Sequence, residues 1–289
     1  MKFIKKYLSL IILSLLFQIN SWSIEASESE VVYGGNTSVG KVVNLNGINI
    51  YYEIYGDGYP LLLIHGNGGS IADMKHQIAY FSKNYRVIVA DNRGHGKSDL
   101  GTEHLTYVQM SDDSLALLDY LKVESTSILG WSDGGIIALK MAIKRPLIVQ
   151  KMSIMGANLQ PDEQAVYPWA RDWVKKQTML ADSMIRKNDI TQDWRLMRQQ
   201  LGLLGEQPNI PLADLQKITA PVLILAGDKD VIREEHTILI FQNIPNAHLG
   251  IFPGETHMIP STNPKLFNET VSVFFKRPFT RPDTKDFFK

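Results

Sequence analysis

The feature that most constrains this chain is the alternation of short apolar runs with stretches of helical pattern. The apolar runs cover residues 60–64, 86–90, 127–129, 152–155, 221–226 and 249–252. The helical patterns cover residues 71–83, 106–121, 134–144, 233–242 and 264–275. Continuous apolar runs are typical of parallel strands whose two faces are both covered by helices. The alternation therefore predicts an α/β fold with a mostly parallel sheet.

Two further segments complete the predicted architecture. Residues 41–55 alternate in polarity and carry Asn46 and Gly47, a dipeptide that favours a tight hairpin, so two antiparallel strands should come first. Residues 158–211 have helical character and no convincing strand, and a structureless loop of that length is unusual, so we expect a helical cap. The predicted fold is an eight-stranded, mostly parallel sheet flanked by helices, with the cap inserted after strand 6. The core then comprises residues 41–157 and 212–276.

Both ends of the chain differ from this core. Residues 1–23 predict a signal peptide, because three lysines precede an apolar run and small residues follow it. The run is shorter than the roughly 20 residues of a membrane-spanning helix, so we expect cleavage, export to the periplasm or the medium, and no stable membrane insertion afterwards. Residues 24–40 form a polar stretch and residues 277–289 a polar tail.

Composition excludes several classes of protein. The chain has no cysteine, which rules out disulfides, thiolate zinc sites, a cysteine nucleophile and acylation of a cysteine. Removal of residues 1–23 takes away Lys2, Lys5 and Lys6 and no acid, which leaves a small acidic excess on a chain of zero formal charge. Such a balance gives no electrostatic reason to expect a nucleic-acid partner.

The strongest functional signal is the G-x-S-x-G motif at positions 130–134. It directly follows one apolar run and directly precedes one helical pattern. A sharp turn from strand to helix forces the central residue into a strained conformation, and side chains on either side would clash, so glycines flank it. The turn also places the serine at a helix N-terminus, where developing negative charge is stabilised. Ser132 is therefore the predicted nucleophile.

A serine nucleophile needs a base and an orienting acid later in the chain. His257 lies just past the last apolar run and is the predicted base. Asp230 follows the preceding run and is the predicted acid, while the nearby Asp228 is expected to be an exposed turn residue. The order nucleophile, acid, base is the one that successive strand ends produce in such a fold. His65 and His95 are expected to hold glycine-rich turns, and the other histidines to lie on the surface or a helix face.

An oxyanion hole requires backbone N–H groups close to the substrate carbonyl. The glycine-rich loop after the first parallel strand predicts one donor at Asn67, and Asp133, which follows the nucleophile, supplies the other. The loop has an alternative reading as a simple tight turn. Trp131 and Asp133, which flank the serine, are also the candidate substrate contacts. We expect no metal site and no cofactor.

The motifs together resemble the α/β-hydrolase superfamily from about residue 42 to residue 275. They lie at positions 65–66, 91–98, 130–135 and 227–230 and at His257. Within the superfamily, residues 129–135 and 155–158 are similar to the biphenyl hydrolase-like group, which includes serine esterases of amino-acid esters. The resemblance implies that Asp133 pairs with a substrate ammonium. An acid in the first turn of a helix is, however, favoured by the helix dipole whatever the substrate.

The predicted function is hydrolysis of a small carboxylic ester through an acyl-enzyme. Aromatic and methionine side chains in the predicted cap either line a partly apolar pocket or merely dock the cap onto the core. A lactonase, amidase, C–C bond hydrolase or cofactor-free perhydrolase would use the same three residues, because a fold does not fix function. A ligand-binding relative with little turnover is a further alternative, and a purely structural role would leave the triad unexplained.

Overall fold

One eight-stranded sheet organises this computed structural model, which describes residues 31–288. The strands are β1 (Lys41–Leu45), β2 (Ile48–Tyr55), β3 (Tyr59–Ile64), β4 (Tyr85–Ala90), β5 (Thr126–Trp131), β6 (Val149–Met155), β7 (Val222–Lys229) and β8 (Ala247–Thr256). Their order across the sheet is β1-β2-β4-β3-β5-β6-β7-β8. β2 runs antiparallel to β1 and β4, and the other neighbours are parallel. The predicted eight-stranded, mostly parallel sheet is confirmed.

Helices cover both faces of the sheet. They are α1 (Lys75–Phe81), α2 (Tyr107–Tyr120), α3 (Asp133–Lys144), α4 (Pro168–Arg186), α5 (Trp194–Glu206), α6 (Leu212–Leu215), α7 (Glu234–Asn243), α8 (Ile259–Thr262) and α9 (Pro264–Lys276). In β3, Leu62 and Ile64 join the core under α2 and α3, whereas Leu61 and Leu63 join the core under α1 and α9. Burial on both faces explains why the strand reads as a continuous apolar run.

The predicted cap lies between β6 and β7 and consists of the helical pair α4 and α5. α5 is fastened to the core by glutamine side chains, since Gln199 accepts a hydrogen bond from Leu105 N and Gln200 donates one to Gly94 O. α4 buries few of its own side chains, and only Ala170 and Ala181 among them are fully buried. The two cap helices therefore differ, because α5 is bound to the core and α4 rests mainly on α5.

Both ends of the described chain are tied to the core. Glu53 is fully buried and accepts hydrogen bonds from the backbone N–H groups of Gly34 and Asn36, which anchors the end of the polar stretch. In the tail, the ring of Phe279 lies 4.7 Å from that of His248. The predicted signal peptide lies outside the described residues. Within residues 31–288, no helix is long and apolar enough to cross a membrane.

Candidate active site

The turn between β5 and α3 holds Ser132 in a strained backbone conformation. Its φ is 57° and its ψ is −120°, a combination that L-residues rarely adopt. A side chain at Gly130 would collide with Gly134 O, and one at Gly134 would collide with Ile64 O. The flanking glycines are thus required by space, as the sequence motif predicts. The serine hydroxyl is carried at the carboxyl end of the parallel strands and at the N-terminus of α3.

His257 and Asp230 form a close pair beside this turn. Each residue directly follows a strand, β8 and β7 respectively, and the ring Nδ1 lies 2.6 Å from Asp230 Oδ1. The carboxylate is fully buried and also accepts a hydrogen bond from Ile232 N. A carboxylate in this position holds the proton on Nδ1 and leaves Nε2 free to accept another. Among the described residues Ser132 Oγ makes no hydrogen bond to the ring, a contact that commonly tightens only when substrate binds.

Gly156 provides the space in which the His257 ring sits. It directly follows β6 and has a φ of 64°. A Cβ at this position would lie 2.5 Å from His257 Cε1, 2.6 Å from Nδ1 and 3.4 Å from Asp230 Oδ2. No ordinary side chain fits at those distances. The sequence offers one signal for this role, a glycine at the carboxyl end of a predicted parallel strand, but nothing that connects it to the histidine.

Trp131 holds the loop that carries His257. Its indole is buried, and Nε1 donates a hydrogen bond of 2.9 Å to the backbone carbonyl of His257. The residue also lines the cavity above Ser132, so its predicted place beside the substrate is compatible with the structure. The polar end of the side chain, however, is used within the protein and positions the backbone of His257.

The two predicted oxyanion donors line the same cavity as Ser132. The backbone N–H groups of Asn67 and Asp133 form no hydrogen bond to another described residue, so both are free to serve a ligand. The loop approaches the nucleophile closely, because a Cβ at Gly66 would lie 3.1 Å from Ser132 Cβ. The structure therefore brings together the five residues that the sequence predicts for the triad and the oxyanion hole.

The carboxylate of Asp133 points into the protein rather than to solvent. It is 1% exposed and accepts hydrogen bonds from Tyr107 Oη at 2.8 Å and from Asn67 Nδ2 at 2.9 Å. Burial outweighs the two hydrogen bonds, which by themselves lower the pKa of this carboxyl, so that its pKa is raised above the usual value. Tyr107 also lines the cavity. No sequence motif indicates this role of Tyr107, because Tyr107 lies 26 positions from Asp133 on another helix.

Two histidines hold loops, as predicted for them. His65 is fully buried, accepts a hydrogen bond from Asn92 N through Nε2 and bonds Gly66 O through Nδ1. Burial lowers the pKa of His65 to about 4, so the ring is neutral and supports both loops. His95 is likewise buried and bonds Arg93 O.

One further expectation is wrong, that for Asp228, whereas that for His236 holds. His236 lies on a helix face, although it is buried there because the start of the cap crosses α7 and Leu159 N donates to its Nε2. Burial lowers the pKa of His236 to about 4. Asp228 belongs to β7 and is half-buried rather than an exposed turn residue, since β7 extends beyond the apolar run. Its Oδ2 accepts a hydrogen bond from Gly254 N at 2.9 Å.

A cavity of about 540 Å³ lies above Ser132 and beneath the cap. Trp169 and Trp173, one turn apart on α4, line it although they are 61% and 52% exposed, so these side chains do not dock the cap. Met197, Leu201 and other apolar side chains of the cap complete this wall. Within residues 31–288, no group of histidines and carboxylates has the arrangement of a metal site.

Comparison with known proteins decides the family. The sequence profile of the α/β-hydrolase fold matches residues 59–209, about half of the chain. The chain belongs to this family. It is 28% identical to the serine hydrolase BPHL of Mus musculus, over 88% of this chain and 91% of that protein. It is 25% identical to a putative carbamate hydrolase RutD of Azorhizobium caulinodans, over 78% of this chain and 94% of that protein.

A solved structure supports the same conclusion. Est816, described as an N-acyl homoserine lactone degrading enzyme, superposes with a TM-score of 0.67 at 26% identity, covering 81% of this α/β-hydrolase and all of that chain. Two of these relatives are named as hydrolases and Est816 as a lactone-degrading enzyme, and the resemblance to the serine hydrolase BPHL is confirmed. Family and relatives thus identify this α/β-hydrolase as a hydrolase without choosing its substrate.

Proposed function

We propose that this α/β-hydrolase cleaves carboxylic esters of small molecules through a serine-bound acyl intermediate. The proposal is carried by one observation: His257, which is hydrogen-bonded to the buried Asp230, lines the same cavity as the strained Ser132. Acyl transfer requires three parts: a serine at the nucleophile position, an oriented base, and backbone N–H groups that are free to bind the oxyanion. No cofactor takes part in the proposed reaction.

The reaction proceeds in two halves. Ser132 Oγ attacks the ester carbonyl while His257 Nε2 takes its proton, and the backbone N–H groups of Asn67 and Asp133 stabilise the oxyanion. The bond from carbonyl carbon to alcohol oxygen then breaks, and the imidazolium returns its proton to the departing alcohol. Water attacks the acyl-enzyme with the same base, releasing the acid and restoring Ser132. Asp230, whose Oδ2 is buried without a hydrogen-bond partner among the described residues, stabilises the imidazolium at each stage.

Turnover of a panel of substrates tests the ester assignment and the role of Asp133. We expect the full chain without residues 1–23 to hydrolyse 4-nitrophenyl esters of short acids with a burst of alcohol release. The panel also contains a lactone, an amide, a carbamate and a substrate whose carbon–carbon bond is hydrolysed. A separate assay measures formation of a peracid. Activity on one of these with none on any ester would overturn the proposal in favour of that alternative. Inactivity on all would favour a ligand-binding role.

The panel also pairs each α-amino ester with its N-acetyl counterpart. If Asp133 binds the substrate ammonium, Asp133→Asn lowers kcat/KM about tenfold more for the free amine than for the acetylated ester, because a charge-assisted hydrogen bond is lost. A loss of equal size on both members of each pair would remove ammonium recognition. The fall in kcat/KM that both members of a pair share would then measure a role of Asp133 that does not depend on the substrate ammonium.

The exposed tryptophans of α4 indicate an apolar group on the substrate. Large exposed aromatic side chains at a cavity mouth contribute favourable binding free energy when a ligand covers them, because their apolar surface is removed from water. We expect Trp173→Ala to raise KM about tenfold for phenyl-bearing esters and to leave acetates nearly unchanged, since only the larger group reaches the ring. Met179→Ala is the matched control, because Met179 is 63% exposed on the same helix but does not line the cavity. Equal effects of both substitutions would contradict this assignment.

A further inference from the structure

A chain of buried and partly buried hydrogen bonds lies directly behind the proposed oxyanion donors. Tyr107 Oη donates to Asp133 Oδ1 at 2.8 Å, and Asn67 Nδ2 donates to Asp133 Oδ2 at 2.9 Å. Tyr107 is fully buried and Asp133 is 1% exposed. The side chains that are linked in this way belong to α2, to the start of α3 and to the loop after β3. The carboxylate of Asp133 therefore joins three segments, two of which carry an oxyanion donor.

The amide of Asn67 extends the chain to the cap. The same Nδ2 donates a second hydrogen bond of 3.0 Å to the backbone carbonyl of Gln200 in α5. Gln200 Nε2 in turn donates to Gly94 O at 2.8 Å, which holds that turn of α5 on the core. Both amide hydrogens of Asn67 are thus in use. With its side chain fixed at both of these contacts, Asn67 has little freedom to turn its backbone N–H away from the cavity.

Charge and burial make this arrangement stiff. Burial raises the pKa of Tyr107 well above its ordinary value, so the phenol remains a donor at neutral pH. A buried carboxylate that loses a donor is left with an unsatisfied acceptor oxygen. This lowers the stability of the fold, because the surroundings have a low dielectric constant and offer no water to replace the donor. Each bond of the chain therefore resists displacement of the segment that it holds.

We propose that Tyr107, Asp133 and Asn67 act through their side chains as a brace that fixes the two backbone donors of the oxyanion hole, with Tyr107 as a positioning residue. The inference rests on the proposed ester hydrolysis and deepens it. A fixed donor costs no reorganisation when charge develops on the carbonyl oxygen, and this preorganisation is what makes oxyanion stabilisation effective. The ammonium role of Asp133 is a separate matter, because the brace serves charged and neutral esters alike.

Tyr107→Phe tests the brace, because it removes one hydroxyl and keeps the ring. The oxyanion forms in the transition state and not in the bound ester, so a loosened hole lowers kcat and leaves KM nearly unchanged. Loss of an entire oxyanion donor lowers kcat by about 10²–10³-fold, and a donor that remains but is less fixed should cost about tenfold. We expect this tenfold fall in kcat on a neutral 4-nitrophenyl ester, with KM within twofold.

Tyr51→Phe is the matched control. Tyr51 is also a buried tyrosine that donates to a buried carboxylate, Glu53, at 2.7 Å, but it lies outside the cavity. Both variants should lower the melting temperature, whereas only Tyr107→Phe should lower kcat. Asn67→Ala provides a second variant that keeps the backbone N–H and removes the amide. Because the two side chains serve one carboxylate, the double variant should lose less than the product of the single losses.

The outcomes separate the brace from the proposed function. Unchanged kcat in Tyr107→Phe, on a wild-type chain that hydrolyses esters, would overturn the brace and leave ester hydrolysis standing. An equal fall of kcat in Tyr51→Phe would also overturn it, since the effect would then follow stability alone. Multiplicative losses in the double variant would show that Asn67 and Tyr107 act independently, which contradicts a single brace. A wild type without esterase activity would instead contradict the proposed function.

Discussion

Ser132→Ala is expected to abolish ester hydrolysis, lowering kcat/KM by about 10⁴-fold or more, because the proposed acyl-enzyme forms on the Ser132 hydroxyl. The same substitution should prevent labelling of the chain by a fluorophosphonate, which reacts only with an activated serine. Both measurements use the full chain without residues 1–23, and intact mass should show one added phosphonyl group on the wild type. The backbone strain at position 132 is unchanged by this substitution, so we expect the variant to fold.

Ser153→Ala is the matched control for this experiment. Ser153 is a buried serine of β6, and its hydroxyl has no hydrogen-bond partner among the described residues. Its removal should therefore change neither labelling nor turnover. Labelling and turnover that both persist in Ser132→Ala would overturn the assignment of the nucleophile. A label that persists while turnover is lost would place the probe on another serine, which peptide mapping would identify.

The sheet could be predicted from the sequence because its signal is local. In β3 and β4 every central residue is buried, one face under α2 and α3 and the other under α1 and α9, so apolar runs mark the strands directly. β8 shows where the signal ends. The apolar run covers residues 249–252, yet the strand spans Ala247–Thr256. It continues this far because Thr256 of β8 pairs with Lys229 of the neighbouring strand β7. Pairing between distant segments leaves no pattern in either one.

In the site, too, local motifs could be found from the sequence and contacts between distant residues could not. The order of nucleophile, acid and base follows from motifs at strand ends, and the structure brings those residues together. The side chains that hold them were not predictable, because each contact joins distant positions. The indole of Trp131 bonds the carbonyl of His257, 126 positions away, and the hydroxyl of Tyr107 reaches Asp133 from another helix. Only the fold turns these residues into parts of one site.

Gly156→Ala is expected to lower kcat/KM by about 10²-fold or more, because the added methyl group would occupy the space of the His257 ring. The methyl carbon would lie 2.5 Å from ring Cε1 and 2.6 Å from Nδ1, distances at which something must shift. The ring Nδ1 is hydrogen-bonded to Asp230 Oδ1, so the ring cannot move away from the methyl group without disturbing this bond. The rate of fluorophosphonate labelling should fall in parallel, because the base activates Ser132 in both reactions.

Gly47→Ala separates this clash from backbone strain. Gly47 has a φ of 79° in the hairpin between β1 and β2, and a Cβ there would meet no atom within 4 Å. Both substitutions place alanine in the left-handed region, which costs about 1–2 kcal/mol, so both should lower the melting temperature, and the clash with the His257 ring should add to the loss in Gly156→Ala. Activity measured well below both melting temperatures should be lost in Gly156→Ala alone. Full activity in Gly156→Ala would show that the ring has room to move, and the position would then matter only for stability.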